Sequence, residues 1–462
     1  MEKDPEKATP SPWESDQTDV APSITLPSSS SEKAAAASTT LPASSSPAAA
    51  TTPPPPAASD EIPDGGLQAW LQVLGSAAIL VCTWGVINTF GVFQAYYETT
   101  LLPSSTSSSI SWIGSTQAAL LFLVGVIAGP LYDAGYFRPL LFVGLFLIVL
   151  GQFMTSLCEQ YWQIMLAQGV TMGMGMGMTF LPSAAILGQY FSRHRALALG
   201  LSSVGSPVAG AVFPIMFTRL EPKVGFGWAT RAIAFILLGV SVLPIVCMKT
   251  RVPPTGKARA VVDMSALRDA PYVLFIVGGL FGFLTLYVPF FYITLYATSK
   301  GAASPEFAPY LVTLINAGSI AGRIVPNALA DKYGSMNLIL VCTFGSAVMV
   351  LGWLGITNMG GSIVYVLLYG AFSGGVVSLT PSVLVSLAPD MSRVGARMGM
   401  GFVVSGIAIL VGTPIAGAIL GSEEHPRWVG AILYAAFGLV LATGFYASSR
   451  FLLYRRNRSL KA

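Results

Sequence analysis

Beyond Asp64 the chain alternates apolar stretches of about 20 residues with short polar breaks, the length a helix needs to cross roughly 30 Å of hydrocarbon at 1.5 Å per residue. Twelve such stretches predict twelve transmembrane helices, at about 70–96, 111–132, 138–157, 162–187, 197–218 and 228–248, then 271–297, 307–329, 337–356, 362–386, 398–420 and 429–449. One long internal loop, 249–270, carries Lys249, Arg251, Lys257, Arg259 and Arg268 and divides six spans from six. The expected fold class is therefore an all-α polytopic membrane protein with an N-terminal six-helix half at 65–248, a C-terminal half at 271–449 and a short basic tail at 450–462.

Composition agrees with the pattern. Of 462 residues 53% are hydrophobic and 10% charged, against about 25% charged in soluble domains, and the mean hydropathy is +0.67. One globular core could not hide so much apolar surface, so the surplus faces lipid. The first 60 residues are different: 42 are Ser, Ala, Pro or Thr, and 1–64 reads as a disordered tail. The net charge of +4 hides an asymmetry, since 1–64 holds 10 acidic and 3 basic residues and the remainder 11 acidic and 22 basic. Sixteen of the loop and tail Lys and Arg fall on one side of the predicted topology, with only Arg219, Lys223, Lys300 and Arg427 on the other. Basic residues are retained in the cytoplasm, so both termini are expected there, with the plasma membrane as the expected location.

The halves repeat each other. Asp133 recurs as Asp331, the Leu-Pro-Ser at Pro182 as Thr-Pro-Ser at Pro381, and Arg195 as Arg397, at offsets of 198, 199 and 202 residues. One shared period argues duplication of a six-helix unit, the internal symmetry from which alternating-access transporters are built. The sequence also excludes other classes. There is no phosphate loop for an ATP motor. The two histidines lie far apart in loops, and Cys82, Cys158, Cys247 and Cys342 form no CxxC pair. Neither an enzyme, a metal centre, a resident cofactor nor a nucleic-acid partner is expected.

GPLYDAGYFRP at Gly129–Pro139, with its echo LADKYG at Leu329–Gly334, resembles the loop signature of the major facilitator superfamily. PDGG at Pro63–Gly66, YFSRHRALALG at Tyr190–Gly200, GFGWATR at Gly225–Arg231 and NAGSIAGRIVPN at Asn316–Asn327 resemble its monocarboxylate-porter branch, especially fungal members. The resemblance implies the major facilitator fold and a rocker-switch transporter, active as a monomer, for a monocarboxylate or related organic anion. An exporter of a larger secondary metabolite, and a non-transporting ligand sensor with the same fold, are the alternatives.

Arg323 is the main candidate site residue. Six residues inside the predicted end of its span, it sits roughly 9 Å into the apolar slab, where an unpaired charge costs at least a few kcal/mol. It either snorkels to the near interface or faces the central cavity and binds a substrate carboxylate through its bidentate fork. No acidic residue lies in the inner part of any predicted span. Monocarboxylate porters carry an arginine at this place, preceded by an aspartate and matched by a lysine in the first span. Here those two positions are Ser319 and Asn88, so that route for proton coupling is missing, and proton coupling stays open. Asn88, Asn316 and the aromatic cluster Tyr287, Phe291 and Tyr292 around Pro289 complete the candidate substrate-binding set. Asp133 with Arg138, Asp331 with Lys332, and Arg195 and Arg397 are the candidate conformational switch. They either clamp the cytoplasmic face through ion pairs and helix-end dipoles or serve topology alone. In the Gly-Met run 169–178, alternate sulfurs face different sides of a helix, so the glycines read as close-packing positions.

Overall fold

The computed structural model describes residues 64–192, 194–251, 262–389, 393–421 and 426–457, without the side chains of Arg195, Ala196, Asp331 and Asn457. Almost all of the expected N-terminal tail, Lys257 and Arg259 of the central loop, and the last five residues lie outside them. Among the described residues the chain is helical wherever it was expected to span. In hydrocarbon every backbone N–H and C=O must be satisfied within the segment, and a helix does this locally.

The spans are α1 (Leu67–Leu101), α2 (Ser107–Asp133), α3 (Phe137–Thr155) and α4 (Tyr161–Tyr190). The stretch Leu197–Cys247 is 51 residues long, about 77 Å of helix and more than twice a hydrocarbon core. It divides at Gly225, whose φ of 77° and ψ of 167° leave helical space, into α5 (195–224) and α6 (226–247). The second half comprises α7 (Ala270–Ser299), α8 (Tyr310–Tyr333), α9 (Ser335–Trp353), α10 (Met359–Ser386), α11 (Val394–Leu420) and α12 (Trp428–Asn457). Boundaries follow local chemistry. Thr106 caps α2 by accepting from the Ser109 amide, Asn358 caps α10 by accepting from the Gly361 amide, and Gly334, at φ 87°, separates α8 from α9. The last helix runs eight residues past its expected end at 449, taking up Arg450, Arg455 and Arg456. With an even number of passes the start of α1 and the end of α12 lie on one face, hereafter the terminal face; the other is the distal face.

Each half packs on itself and meets the other through α1–α7, α2–α11 and α5–α8. Lipid supplies no hydrophobic drive between helices, so association rests on close backbone approach at small residues. Gly318 and Gly322 of α8 lie against the Leu367 and Ala371 carbonyls of α10, while Gly370 and Gly374 of α10 lie against Ile315 and Ser319 of α8. The Gly-Met run is built the same way: Gly173 and Gly177 face α2 at Gln117, Leu120 and Val124, and Gly175 faces α3 at Gly144 and Ile148. A methyl at Gly322 would meet the Ala371 backbone, and overpacking costs about 1–3 kcal/mol. Gly322→Ala is therefore expected to lower the thermal midpoint of the detergent-solubilised protein. Gly444→Ala, with open space around its Cβ on α12, should leave it unchanged, as fluorescence-detected size exclusion after heating would register.

Candidate substrate site

Four buried polar residues of α8, Asn316, Ser319, Arg323 and Asn327, recur at steps of three and four and so form one stripe along the helix. Arg323 stands ten residues before the helix ends at Tyr333, about 15 Å along the axis. The helix continues four residues, through polar turns, past the expected span end at 329, and the arginine lies near the middle of the helix. It is 4% exposed. Its Nε donates to Ser319 Oγ at 3.3 Å and its Nη1 to the Ser203 carbonyl of α5 at 3.4 Å, both long. The serine standing where the family pattern has an aspartate thus supplies a hydroxyl and no charge.

Tyr287 is within electrostatic reach of this guanidinium. It sits at the break between Ala270–Leu286 and Val288–Ser299, where Pro289 lacks an N–H and crowds the carbonyl four residues back. Its ring stacks on Trp84 of α1, centroids 5.9 Å apart and planes 18° apart. Trp84 lies in a π-helical turn, Val81–Gly85, that interrupts α1 at its midpoint. Around the pair stand Phe122 of α2, Phe180 of α4, Phe283 of α7 and Phe402 of α11, with Phe122 stacked on Phe402 at 5.0 Å.

The other expected residues separate into two groups. Asn88 donates to Ser206 of α5 at 3.1 Å and sits one turn from Trp84. Asn316 donates to its own helix at Val312, packs on Gly210 of α5 and leaves its Oδ1 without a partner. Phe291 and Tyr292 lie beyond mid-height toward the distal face. There Phe291 meets Phe90 at 4.9 Å, and Tyr292 donates to the Thr413 carbonyl beside Gln94, Glu98 and Ser111 of the first half. Ser108 bonds the Pro414 carbonyl and Ser115 bonds Thr413 in the same layer, so the distal side of the interface is sealed. Glu98 lies outside the expected span end at 96 but inside the helix: α1 continues to Leu101 and encloses it fully buried three residues from that end, accepting from Gln94 and Ser107. The sequence placed it just outside because two tyrosines, a glutamate and two threonines lower the local hydropathy.

On the terminal face Arg138 donates to the Ile245 carbonyl at the end of α6, and Lys332 lies over the Tyr333 ring. Asp133 is half-buried at the end of α2; the side chains of Arg195 and Asp331 are not among those described. Arg397 is engaged by residues that the sequence did not single out. Its Nε donates to Asp263 at 3.1 Å and its Nη1 to Asp269 at 2.8 Å and to the Leu387 carbonyl at 2.7 Å, while Arg456 takes the second oxygen of Asp269. The end of the central loop is thus tied to the C-terminal half. The PDGG segment has a similar role in the first half, where Asp64, at φ 50°, accepts from the Ser192 and His194 amides. Arg231 anchors the distal end of α6, donating to Ser156 and lying over Trp228.

A buried charge at mid-height between two six-helix halves, each pairing with the other along α1–α7, α2–α11 and α5–α8, defines a polytopic transporter. Residues 73–391 match the Major Facilitator Superfamily, and the chain belongs to that family. It is 44% identical over 379 residues to the MFS-type transporter dbaD of Emericella nidulans, covering 82% of this chain and 85% of that one. To the aspyridones efflux protein apdF of the same organism it is 37% identical over 84% of this chain and 79% of the relative. To the fujikurins efflux protein of Gibberella fujikuroi it is 34% identical over 87% and 86%. The protein is a multi-pass membrane transporter of small molecules, not an enzyme.

The loop contacts make a prediction outside the membrane. The Ser265 hydroxyl and, after it, Arg397 hold the Asp263 carboxyl below its usual range. A carboxylate lowered in the folded state contributes above its ordinary pKa of about 4 and stops contributing as pH falls through the lowered value. Protection against hydrogen exchange at 262–269, taken relative to the intrinsic rate at each pH, should fall on acidification below about pH 4, and Asp263→Asn should show the reduced protection already at pH 7. Slow exchange in the variant at pH 7 would mean that the loop is held by other contacts.

Proposed function

We propose that this transporter exports an organic acid made by the cell that carries it, and that Arg323 is the ligand of the acid's anionic group. The observation that carries the reading is the burial of Arg323 midway along α8 with, among the described residues, a hydroxyl and a carbonyl, at 3.3 and 3.4 Å, as its hydrogen-bond partners. Such a site stabilises a guanidinium poorly by itself and gains a charge-assisted, bidentate pair when a carboxylate or enolate enters. The monocarboxylate-porter resemblance supports an anionic group, and the printed names of the relatives, two of which are efflux proteins for secondary metabolites, support export.

In this reading both termini are cytoplasmic and the monomer works in the plasma membrane by rocking one half against the other. The distal seal of Tyr292, Thr413, Ser108 and Ser115 is the outer gate. Asp133, Arg138, Asp331, Lys332, Arg195 and Arg397 govern the inner face, the last through the linker acids. Asn88 and Asn316 offer the substrate polar contacts beside Arg323. Protons are an additional candidate ligand, at a site other than the missing Ser319 and Asn88 pair.

Transport should fall in the order Arg323, Arg323→Lys, Arg323→Gln at equal surface expression. Lysine keeps the charge and loses the fork; glutamine loses both. Removing one member of a buried charged pair costs roughly 2–5 kcal/mol, at least about thirtyfold in affinity. Inside-out vesicles assayed with a panel of fungal-type organic acids would measure this. Near-normal apparent affinity for the transported acids in Arg323→Gln would remove the reading's main support.

A further inference from the structure

We propose that the body of the transported anion is a planar conjugated ring system, seated between the halves where Trp84 now stacks on Tyr287, with the Phe122–Phe402 pair as the wall beside it. This deepens, and rests on, the reading of Arg323 as the ligand of the anionic group.

The first half contributes Trp84, Phe122 and Phe180 as a set. Trp84 meets Phe122 and Phe180 edge-on, at 5.4 and 6.0 Å with planes 64° and 76° apart. Edge-to-face contacts fix ring orientation, so this set holds flat faces toward the opposite half. The second half lays two rings on those faces: Tyr287 on Trp84 at 18° and Phe402 on Phe122 at 27°. Both face-to-face contacts run across the interface that opens during transport. Rocking separates them, and the Trp84–Tyr287 pair then presents two nearly parallel π faces, while Phe122, its plane 64° from that of Trp84, stands as the wall of the slot. A planar guest needs about one van der Waals layer of about 3.5 Å between them; a saturated ring skeleton is thicker and has no face to offer.

The backbone marks the same two residues. Trp84 is 17 residues from the start of α1 at Leu67, and Tyr287 is 17 residues from the start of α7 at Ala270. They are counterparts under the internal duplication, at mid-height in both halves. Each lies where its helix is irregular, in a π-helical turn and beside a proline break. Such irregularities are frequent at functional sites and supply the local play a ring needs to leave its partner. Asn88, one turn from Trp84, bonds Ser206, and Ser203, one turn from Ser206 on α5, bonds Arg323, which joins the slot to the charge. The guest so described is an aromatic acid with its ring in the slot and its anionic end at Arg323.

The test uses the purified full-length protein and three probes of one skeleton: 2-naphthoate, planar and anionic; decahydro-2-naphthoate, saturated and anionic; and 2-naphthamide, planar and neutral. Isothermal titration is expected to show 2-naphthoate bound at least about tenfold tighter than the saturated acid. Trp84→Leu should remove that preference while changing the saturated acid's affinity less than about twofold, and Trp84→Phe, which keeps a π face, should restore most of it. Unchanged melting of Trp84→Phe guards against a fold defect in the leucine variant. Equal binding of the two acids, loss of both acids together in Trp84→Leu, or binding of none of the three probes would overturn the ring slot. If 2-naphthamide binds as well as 2-naphthoate, the slot stands and the anion reading fails; if the two acids bind equally and far better than the amide, the anion reading stands and the slot fails.

Discussion

Close approach of backbones at glycine is the constraint on which this structure depends. Lipid chains are as apolar as the side chains they would replace, so helices gain from each other mainly by contact that lipid cannot match. The Gly318–Gly322 seam of α8 against Gly370–Gly374 of α10 supplies such contact. It also orients α8. With the small residues committed to α10, Asn316 and Arg323 are carried toward α5 of the other half, where Asn316 packs on Gly210 and Arg323 reaches Ser203. A charge is held at mid-height because the face beside it is locked.

That charge gives the interface its chemistry. An isolated arginine in the apolar slab is costly, and among the described residues Ser319 and a carbonyl are what offset that cost by hydrogen bonding. The remaining stabilisation is left to what enters between the halves. The aromatic residues nearby come from five spans, α1, α2, α4, α7 and α11, and close the centre in the absence of a guest. Toward the distal face the interface changes character: small hydroxyls of α2 bond a carbonyl and a hydroxyl of α11, and Glu98 lies buried beside Ser107. Charge, rings and hydroxyls thus occupy successive positions along one interface.

The central loop shows how a linker can be structural. Asp263 and Asp269 flank a short 3₁₀ turn, Met264–Arg268, and both hold Arg397. The arginine recurring before the fifth and eleventh spans was legible as a pair, but its partners were not. They stand 128 and 134 residues away, in a loop that reads from the sequence as basic and solvated.

Much of the fold was written in local pattern. Span number follows from apolar length, the breaks at Gly225 and Pro289 from backbone chemistry confined to one residue, and the two halves from a 200-residue period, because each needs only the chain's own neighbours. Arg323 was visible for the same reason, as a charge where hydropathy forbids one. The ends of α1 and α8, and with them the burial of Glu98, were not legible, since polar turns lower hydropathy without ending a helix that packs on its neighbours. Trp84 and Phe122 gave no local signal, for an aromatic residue in a span reads alike whether it faces lipid, core or a partner half. Tertiary structure alone decided that these rings meet Tyr287 and Phe402 and that Arg323 lies beside Tyr287. Pairing across some 200 residues depends on how two six-helix bodies close upon each other, and no local pattern in the chain encodes that geometry.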